Sequence, residues 1–165
     1  MASTYLTRTP SSAGNRKTWT YSAWIKFSSS ANSYLFGSTS NYLRIEAQQL
    51  ELYYFSGSNI FEVTTSQVFR DTSAWYHLVI AYDTTQATAS NRVKYYINGE
   101  QVTSFATASY PNQNVEYNIN NNTEQTIGLS GSNTPDCIMT HIHFIDGTAY
   151  DADTFGETDA TTGIW

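Results

Sequence analysis

Covalent cross-links are the first thing this sequence does without. Cys137 is its only cysteine, so no internal disulfide can form, and the paired C-x-x-C spacings of zinc and redox sites are absent. Charge is sparse as well. Asp, Glu, Lys and Arg make up 13% of the 165 residues, against roughly 25% in ordinary soluble domains, and Ser, Thr, Asn and Gln take the surface positions instead. Eight basic residues stand against fourteen acidic ones, a formal net charge of −6. That balance opposes attraction to phosphate backbones and anionic membranes and argues against nucleic acid as a partner. No stretch nears the ~18 apolar residues of a membrane span, so membrane insertion is not expected. The opening MASTYLTRTPSS lacks the basic segment and apolar run of a secretory signal. Asn121-Asn122-Thr123 is a formal glycosylation acceptor that matters only in a secretory pathway.

What the chain has in quantity is aromatic mass. Four Trp, thirteen Tyr and eight Phe each bury roughly 150 to 250 Å² when packed, and the length suits one domain whose core rests on packing alone. Helical periodicity is nearly missing, whereas period-two alternation recurs between turn signals. WTYSAWIKF sets Trp19, Tyr21, Ala23, Ile25 and Phe27 on one face and Thr20, Ser22, Trp24 and Lys26 on the other. YLRIEAQQLELYYF reads as a hairpin turning near Gln48 and Gln49, with Leu43, Ile45, Leu50, Leu52 and Tyr54 inward. Tyr42, Arg44, Glu46, Glu51, Tyr53 and Phe55 then share the outward face, provided no bulge shifts the register.

WYHLVIAYD separates Tyr76, Leu78, Ile80 and Tyr82 from Trp75, His77, Val79 and Ala81. In RVKYYINGEQVTSF, Asn98-Gly99 is the preferred type I′ hairpin turn. YPNQNVEYNINNNTEQ reads as a long loop or ragged edge, followed by a short strand at TIGLS. IMTHIHFIDG is the last strand, and DADTFGETDATTG after it is a turn or one short helical turn that Asp151 or Asp153 can cap. Many short strands at this spacing predict one all-β sandwich or barrel over residues 1–165.

The order WTYSAWIKF, LRIEAQQLELYYF, SAWYHLVIAYDTT, RVKYYINGEQVT, IHFIDGTAYDADTFG resembles the laminin-G-like and pentraxin-like branch of the concanavalin A-like lectin/glucanase superfamily. YLTRTPSSAGNRKTWTYSAWIK and FIDGTAYDADTFGETDATTGIW further resemble domains of virion structural proteins in tailed, particularly marine, bacteriophages. The resemblance implies a jelly-roll β-sandwich of two antiparallel sheets that binds glycans or proteins through rim loops or its concave face. It also implies a domain cut from a longer virion protein, with an edge open to a neighbour. Such a protein would be made in the host bacterial cytoplasm and reside in the virion. Its partners would be bacterial surface polysaccharide, other virion subunits, or further copies of itself.

Several constellations bear on chemistry. His141 and His143 stand at i and i+2, on one strand face about 7 Å apart, a spacing that zinc sites use when a third ligand and second-shell partners join. The family puts no metal there, and a strand surface is the plainer reading. Asp151, Asp153, Gly156 and Asp159 imitate the first, third, sixth and ninth places of a calcium loop, but Phe155 and Thr162 stand where the fifth oxygen ligand and the bidentate Glu belong. No cofactor is required on this reading. The resemblance leaves calcium open at a rim, with Asp83, Asp136 and Asp146 as the acids within reach. Enzymatic members of the superfamily hydrolyse glucans with closely spaced acids. The nearest imitation here is Glu46 with Glu51, and the Glu-x-Asp-x-x-Glu motif is missing, as are the P-loop and the Gly-x-Ser-x-Gly elbow.

Binding is therefore the leading expectation. Sugars lay their C–H faces on aromatic rings and hydrogen-bond to amides and carboxylates. The outward set Tyr42, Arg44, Glu46, Tyr53 and Phe55 is the best platform, joined by Trp24 and by Tyr110, Asn112 and Tyr117 of the Asn-rich loop. The same aromatics would also serve a subunit interface. The alternatives are thus a decoration domain within the particle and a glycan-cleaving enzyme.

Overall fold

The computed structural model describes residues 4–28, 32–129 and 135–165. In chain order these form β1 (Leu6–Arg8), β2 (Thr18–Phe27), β3 (Ser33–Ser38), β4 (Asn41–Glu46), β5 (Gln49–Phe55), β6 (Asn59–Val68), β7 (Tyr76–Asp83), β8 (Val93–Ile97), β9 (Glu100–Gln101), β10 (Phe105–Ser109), β11 (Gln125–Ile127) and β12 (Cys137–Asp146). Two short 3₁₀ turns, Ala89–Asn91 and Ala152–Thr154, are the only helical pieces among the described residues. The strands build a seven-stranded sheet, β1-β11-β3-β4-β5-β6-β10, and a five-stranded sheet, β12-β2-β7-β8-β9. Every pairing is antiparallel, so the jelly-roll sandwich expected from the sequence is the fold.

Alternation along each strand places the core between the sheets. From the small sheet come Trp19, Tyr21, Ala23, Ile25 and Phe27 of β2, Leu78, Ile80 and Tyr82 of β7, and Val93, Tyr95 and Ile97 of β8. Leu43, Ile45, Leu50, Leu52, Phe61 and Val63 face them from the large sheet. Trp19 stacks on its neighbour Tyr82 within the small sheet at 4.5 Å, and Phe36 of the large sheet ties the layers together by meeting Tyr21 and Phe144 at 5.1 Å each. Such offset and tilted contacts add to the burial of area itself.

Turn chemistry follows the sequence with two adjustments. Asn98 and Gly99 have φ of 50° and 83°, the left-handed pair that a type I′ turn demands. The β4–β5 turn falls on Ala47 and Gln48, at φ 48° and 67°, one residue earlier than expected, because Glu46 and Gln49 are themselves paired. Asp151 occupies the cap position of the Ala152–Thr154 turn but makes no side-chain cap bond. β11 covers the start of TIGLS, and Ser130 lies outside the described residues.

In β12 the ladder slips between Thr140 and His143, so that three steps on this strand match two on β2. His141 absorbs the additional residue at φ 50°. This β-bulge overturns the i, i+2 geometry expected of His141 and His143. β12 also forms one open edge of its sheet, and β1 one edge of the other.

Inside the sandwich, the hydroxyl of Tyr95 reaches across from β8, donating to the Val63 carbonyl at 2.8 Å and accepting from the Leu52 amide at 3.0 Å. Thr65 Oγ1 accepts from the Leu50 amide nearby, where the β5–β6 register shifts. By contrast, the buried hydroxyls of Tyr21 and Tyr82 have no hydrogen-bond partner among the described residues.

The chain beyond β12 crosses the outer face of the small sheet. The Gly147 amide donates to the Thr18 carbonyl, and Thr20 Oγ1 donates to the Thr148 carbonyl while accepting from the Tyr150 amide. Farther along, Trp165 Nε1 donates to His77 Nδ1 at 2.9 Å. An indole N–H only donates, so Nδ1 is unprotonated and the ring's proton sits on Nε2, which donates to Ser22 Oγ at 3.0 Å. Burial, aided by nearby His143, pushes the His77 pKa from 6.5 down to about 4.

Two predictions follow from these contacts. Tyr95→Phe removes two hydrogen bonds from a dry interior and should cost about 1–2 kcal/mol in urea unfolding, whereas Tyr21→Phe, which deletes a hydroxyl without a partner, should be neutral or stabilising. For His77, the unfolded chain takes up a proton near pH 6.5 and the folded chain only near pH 4. Its contribution is therefore complete above pH 6.5, declines as pH falls toward 4, and totals about 3 kcal/mol. Thermal melts between pH 7 and pH 5 should show this slope in the native chain and a flatter one in His77→Phe; equal slopes would contradict the assignment.

Candidate functional site

The outward residues of β3, β4, β5 and β6 converge on one patch of the large sheet. Register pairs Tyr42 with Tyr53, Arg44 with Glu51, and Tyr34 with Arg44, so each strand's outward residues stand beside those of the next. Gly37 lies opposite Tyr42, and a Cβ there would meet Tyr42 Cδ1 at 2.5 Å; the glycine leaves the room in which the Tyr42 ring lies. Tyr34 meets Tyr42 edge-on at 5.2 Å, and Tyr42 meets Tyr53 at 6.1 Å.

Arg44 is the hub of the patch. Its guanidinium lies 4.3 Å from the Tyr53 ring centre and 5.5 Å from that of Tyr34, within the range of cation–π attraction. It donates to the Tyr34 hydroxyl at 2.9 Å, and its nitrogens lie 3.1 Å from Glu46 and 3.2 Å from Glu51. Burial opposes the guanidinium's charge, but Glu51, Tyr53 and Tyr34 together outweigh it and hold Arg44 protonated. Glu51 is only 4% exposed, and burial raises its pKa by more than Arg44 lowers it. Burial, with a hydrogen bond to Tyr34, also keeps the Tyr53 phenol neutral. Asn32 Nδ2 donates to Glu46 Oε1 at 2.8 Å and Asn32 Oδ1 accepts from the Ala47 amide, which fixes the rim beside the β4–β5 turn.

The structure thus brings Tyr42, Arg44, Glu46 and Tyr53 together, and adds Tyr34, whose strand the sequence did not signal. Phe55 lies at the end of β5, 45% exposed. The remaining platform residues are placed elsewhere. Trp24 belongs to the other sheet, where its ring stacks on His77 at 5.0 Å. Tyr117 is buried against Tyr54 and Phe61, at 4.5 and 5.0 Å, so its loop serves as a plug for the core. Tyr110 packs edge-on against Phe105 beside the core. Asn112 is exposed on that loop and its carbonyl closes a turn with Val115.

The acids and histidines considered for metals do not assemble. Among the described residues no group of three His, Cys, Asp or Glu is placed to hold an ion. Asp83 Oδ1 already accepts from the Thr85 amide and hydroxyl, and Oδ2 from Gln86 Nε2. Asp146 Oδ1 accepts from the Asn15 amide and Asn120 Nδ2, each at 2.7 Å. Carboxylates ringed by N–H and O–H donors do not fit a cation, which needs those lone pairs. Asp136 adjoins the opposite end of β2, beside the Cys137–Phe27 pair. His141 Nδ1 is engaged with Thr140 Oγ1, while His143 packs on Phe155. In the calcium-like loop, Asp159 Oδ1 accepts from the Thr161 and Thr162 amides, which makes it the hinge of a turn.

Glu46 and Glu51 are not directly opposed either. Glu46 pairs with Gln49 and Glu51 with Arg44, and the buried Glu51 is turned to the guanidinium. What the face offers chemically is three tyrosine rings and a neutralised guanidinium for stacking, with Glu46 and Asn32 at the rim for hydroxyl groups.

Known folds agree with this architecture. A heptameric SAP-like pentraxin from Limulus polyphemus superposes with a TM-score of 0.57 at 14% identity, covering 85% of this chain and 68% of the pentraxin. A candidate carbohydrate-binding protein of Bacteroides ovatus gives 0.54 at 19% identity, over 85% of this chain and 40% of its own. A structure of botulinum neurotoxin type C, whose cell entry depends on interaction with two ganglioside molecules, gives 0.56 at 12% identity, over 86% and 35%. The chain thus spans less than half of the latter two proteins. No curated protein matches it in sequence. The sequence profile described as Concanavalin A-like lectin/glucanases superfamily matches residues 2–137, and the chain belongs to that superfamily.

Proposed function

We propose that the chain is a non-catalytic carbohydrate-binding module, and that it serves a tailed-phage virion protein in adhesion to bacterial surface polysaccharide. The carrying observation is the Tyr34–Tyr42–Tyr53 face locked around Arg44. Its rings are fixed by packing and ion pairs before any ligand arrives, so little side-chain entropy is lost on binding. The ganglioside dependence of the neurotoxin and the assignment of the Bacteroides protein support the ligand class, on a shared fold. The burial of Glu51 supports the non-catalytic reading, since a general acid must reach the glycosidic oxygen. The virion setting and manufacture in the host bacterial cytoplasm rest on the likeness of the two end segments to phage domains.

A second reading is favoured by the open edges. Tyr5, Leu6 and Ile138 are 48%, 64% and 56% exposed along or beside the edge strands β1 and β12, and exposed apolar side chains at sheet edges suit contact with other virion subunits or a second copy. Sedimentation of the purified domain addresses self-association: a monomer at high concentration removes the homo-oligomeric form of this reading.

For the leading proposal, the domain is screened against purified bacterial surface polysaccharides at concentrations that detect millimolar affinity. Binding is expected, and Tyr42→Ala or Tyr53→Ala should weaken it about tenfold, equivalent to ~1.4 kcal/mol. No binding across the panel, or binding that ignores both substitutions, contradicts the proposal.

A further inference from the structure

We infer that a groove on the outer face of the small sheet is a second saccharide site, selective for uncharged pyranose units. Three of the chain's four tryptophans line it: Trp24 of β2, Trp75 just before β7, and Trp165, with Asn98, Glu100 and Thr158 supplying polar groups. Its volume is about 500 Å³, within the range of small-ligand sites. It lies on the opposite sheet from the tyrosine face and stands independently of it.

The indoles are set in advance. Trp165 is held by the hydrogen bond from its Nε1 to His77 Nδ1 at 2.9 Å and stacks on that imidazole at 5.7 Å. It also lies against two glycines: a Cβ at Gly99 would collide with the indole, and one at Gly156 would come within 2.9 Å of it. The same imidazole stacks on Trp24 at 5.0 Å. One buried histidine therefore orients two of the three rings, and the loop behind Trp165 is closed by the bonds from the Asp159 amide to the Ile164 carbonyl and from the Gly163 amide to the Asp159 carbonyl. Trp75 is 40% exposed, a large apolar face left in water at the groove.

The polar complement selects the ligand. Rigid indole faces suit the C–H patches of pyranose rings. The Asn98 side-chain N–H groups, whose partner Oδ1 is held by the His77 amide, the Glu100 carboxylate and the Thr158 hydroxyl supply donors and acceptors for sugar hydroxyls. Among the described residues no lysine or arginine lines the groove, and its charged side chain is Glu100, on a chain of net charge −6. Acidic sugars are disfavoured by that field. Thr158 and Trp165 lie beyond the residues 2–137 that match the superfamily profile, so one wall of the groove is supplied by residues outside the matched segment.

The test uses hexasaccharides of glucose, of mannose and of N-acetylglucosamine, with oligogalacturonate as the acidic control, each titrated to about 20 mM while the four indole N–H resonances are followed by NMR. At least one neutral hexasaccharide should shift the Trp75 and Trp165 signals, and oligogalacturonate should not. Trp75→Ala, at an exposed position, should weaken the binding reported by the Trp165 signal about tenfold, as should Thr158→Arg. Indole signals that stay still with all three neutral probes overturn the inference, as does equal binding of the acidic control or binding indifferent to both groove variants. Binding lost in Tyr42→Ala but kept in Trp75→Ala overturns the groove alone and leaves the tyrosine face standing.

Discussion

The Tyr95 hydroxyl ties β8 of one sheet to β5 and β6 of the other through Val63 and Leu52. It meets the large sheet at the Leu52–Val63 pair, next to the shift of the β5–β6 ladder between Gln49 and Glu51, so backbone groups near that irregularity are bonded by side chains from both sheets, with Thr65 taking the Leu50 amide. Without cross-links, the two layers are aligned by interdigitated rings, which resist separation but permit sliding. A hydrogen bond of defined direction removes that freedom. The tyrosine face is carried on β3 to β6, and its geometry inherits the alignment.

Much of the architecture was legible because alternation is strict where both neighbours are paired. β2 and β7 lie in the interior of their sheet, and every inward position of β2 is apolar. β3, β6 and β10 gave weaker signals for identifiable reasons. In β6 the inward series runs Phe61, Val63, Thr65, and the last of these is a hydroxyl whose role is to accept from Leu50. β3 carries a register shift between Tyr34 and Phe36 that puts Leu35 and Phe36 consecutively into the core. A period-two reading cannot see a bulge, and the same blindness affects His141 and His143.

The candidate site was legible in part for the same reason. Tyr42, Arg44, Glu46 and Tyr53 follow from the register of one hairpin, a local relation. Tyr34 joins them only because β3 pairs with β4, and Tyr117 leaves them because its loop turns inward to plug the core. The Trp165–His77 contact spans 88 residues. Its one sequence clue is a glycine at each point where the indole lies flat, Gly99 and Gly156, and glycines carry no label of what they accommodate.

The bulge in β12 bears on behaviour in solution rather than on chemistry. A ten-residue strand with one unpaired edge is a template on which another copy can add its own strand, and repetition of that step is how sheet proteins polymerise. His141, at φ 50°, interrupts the regular spacing of amides and carbonyls midway along that edge. An incoming straight strand would find matching partners on either side of the bulge but not across it. The histidine pair is thus a fault line in the edge, one that works against fibre growth at high concentration.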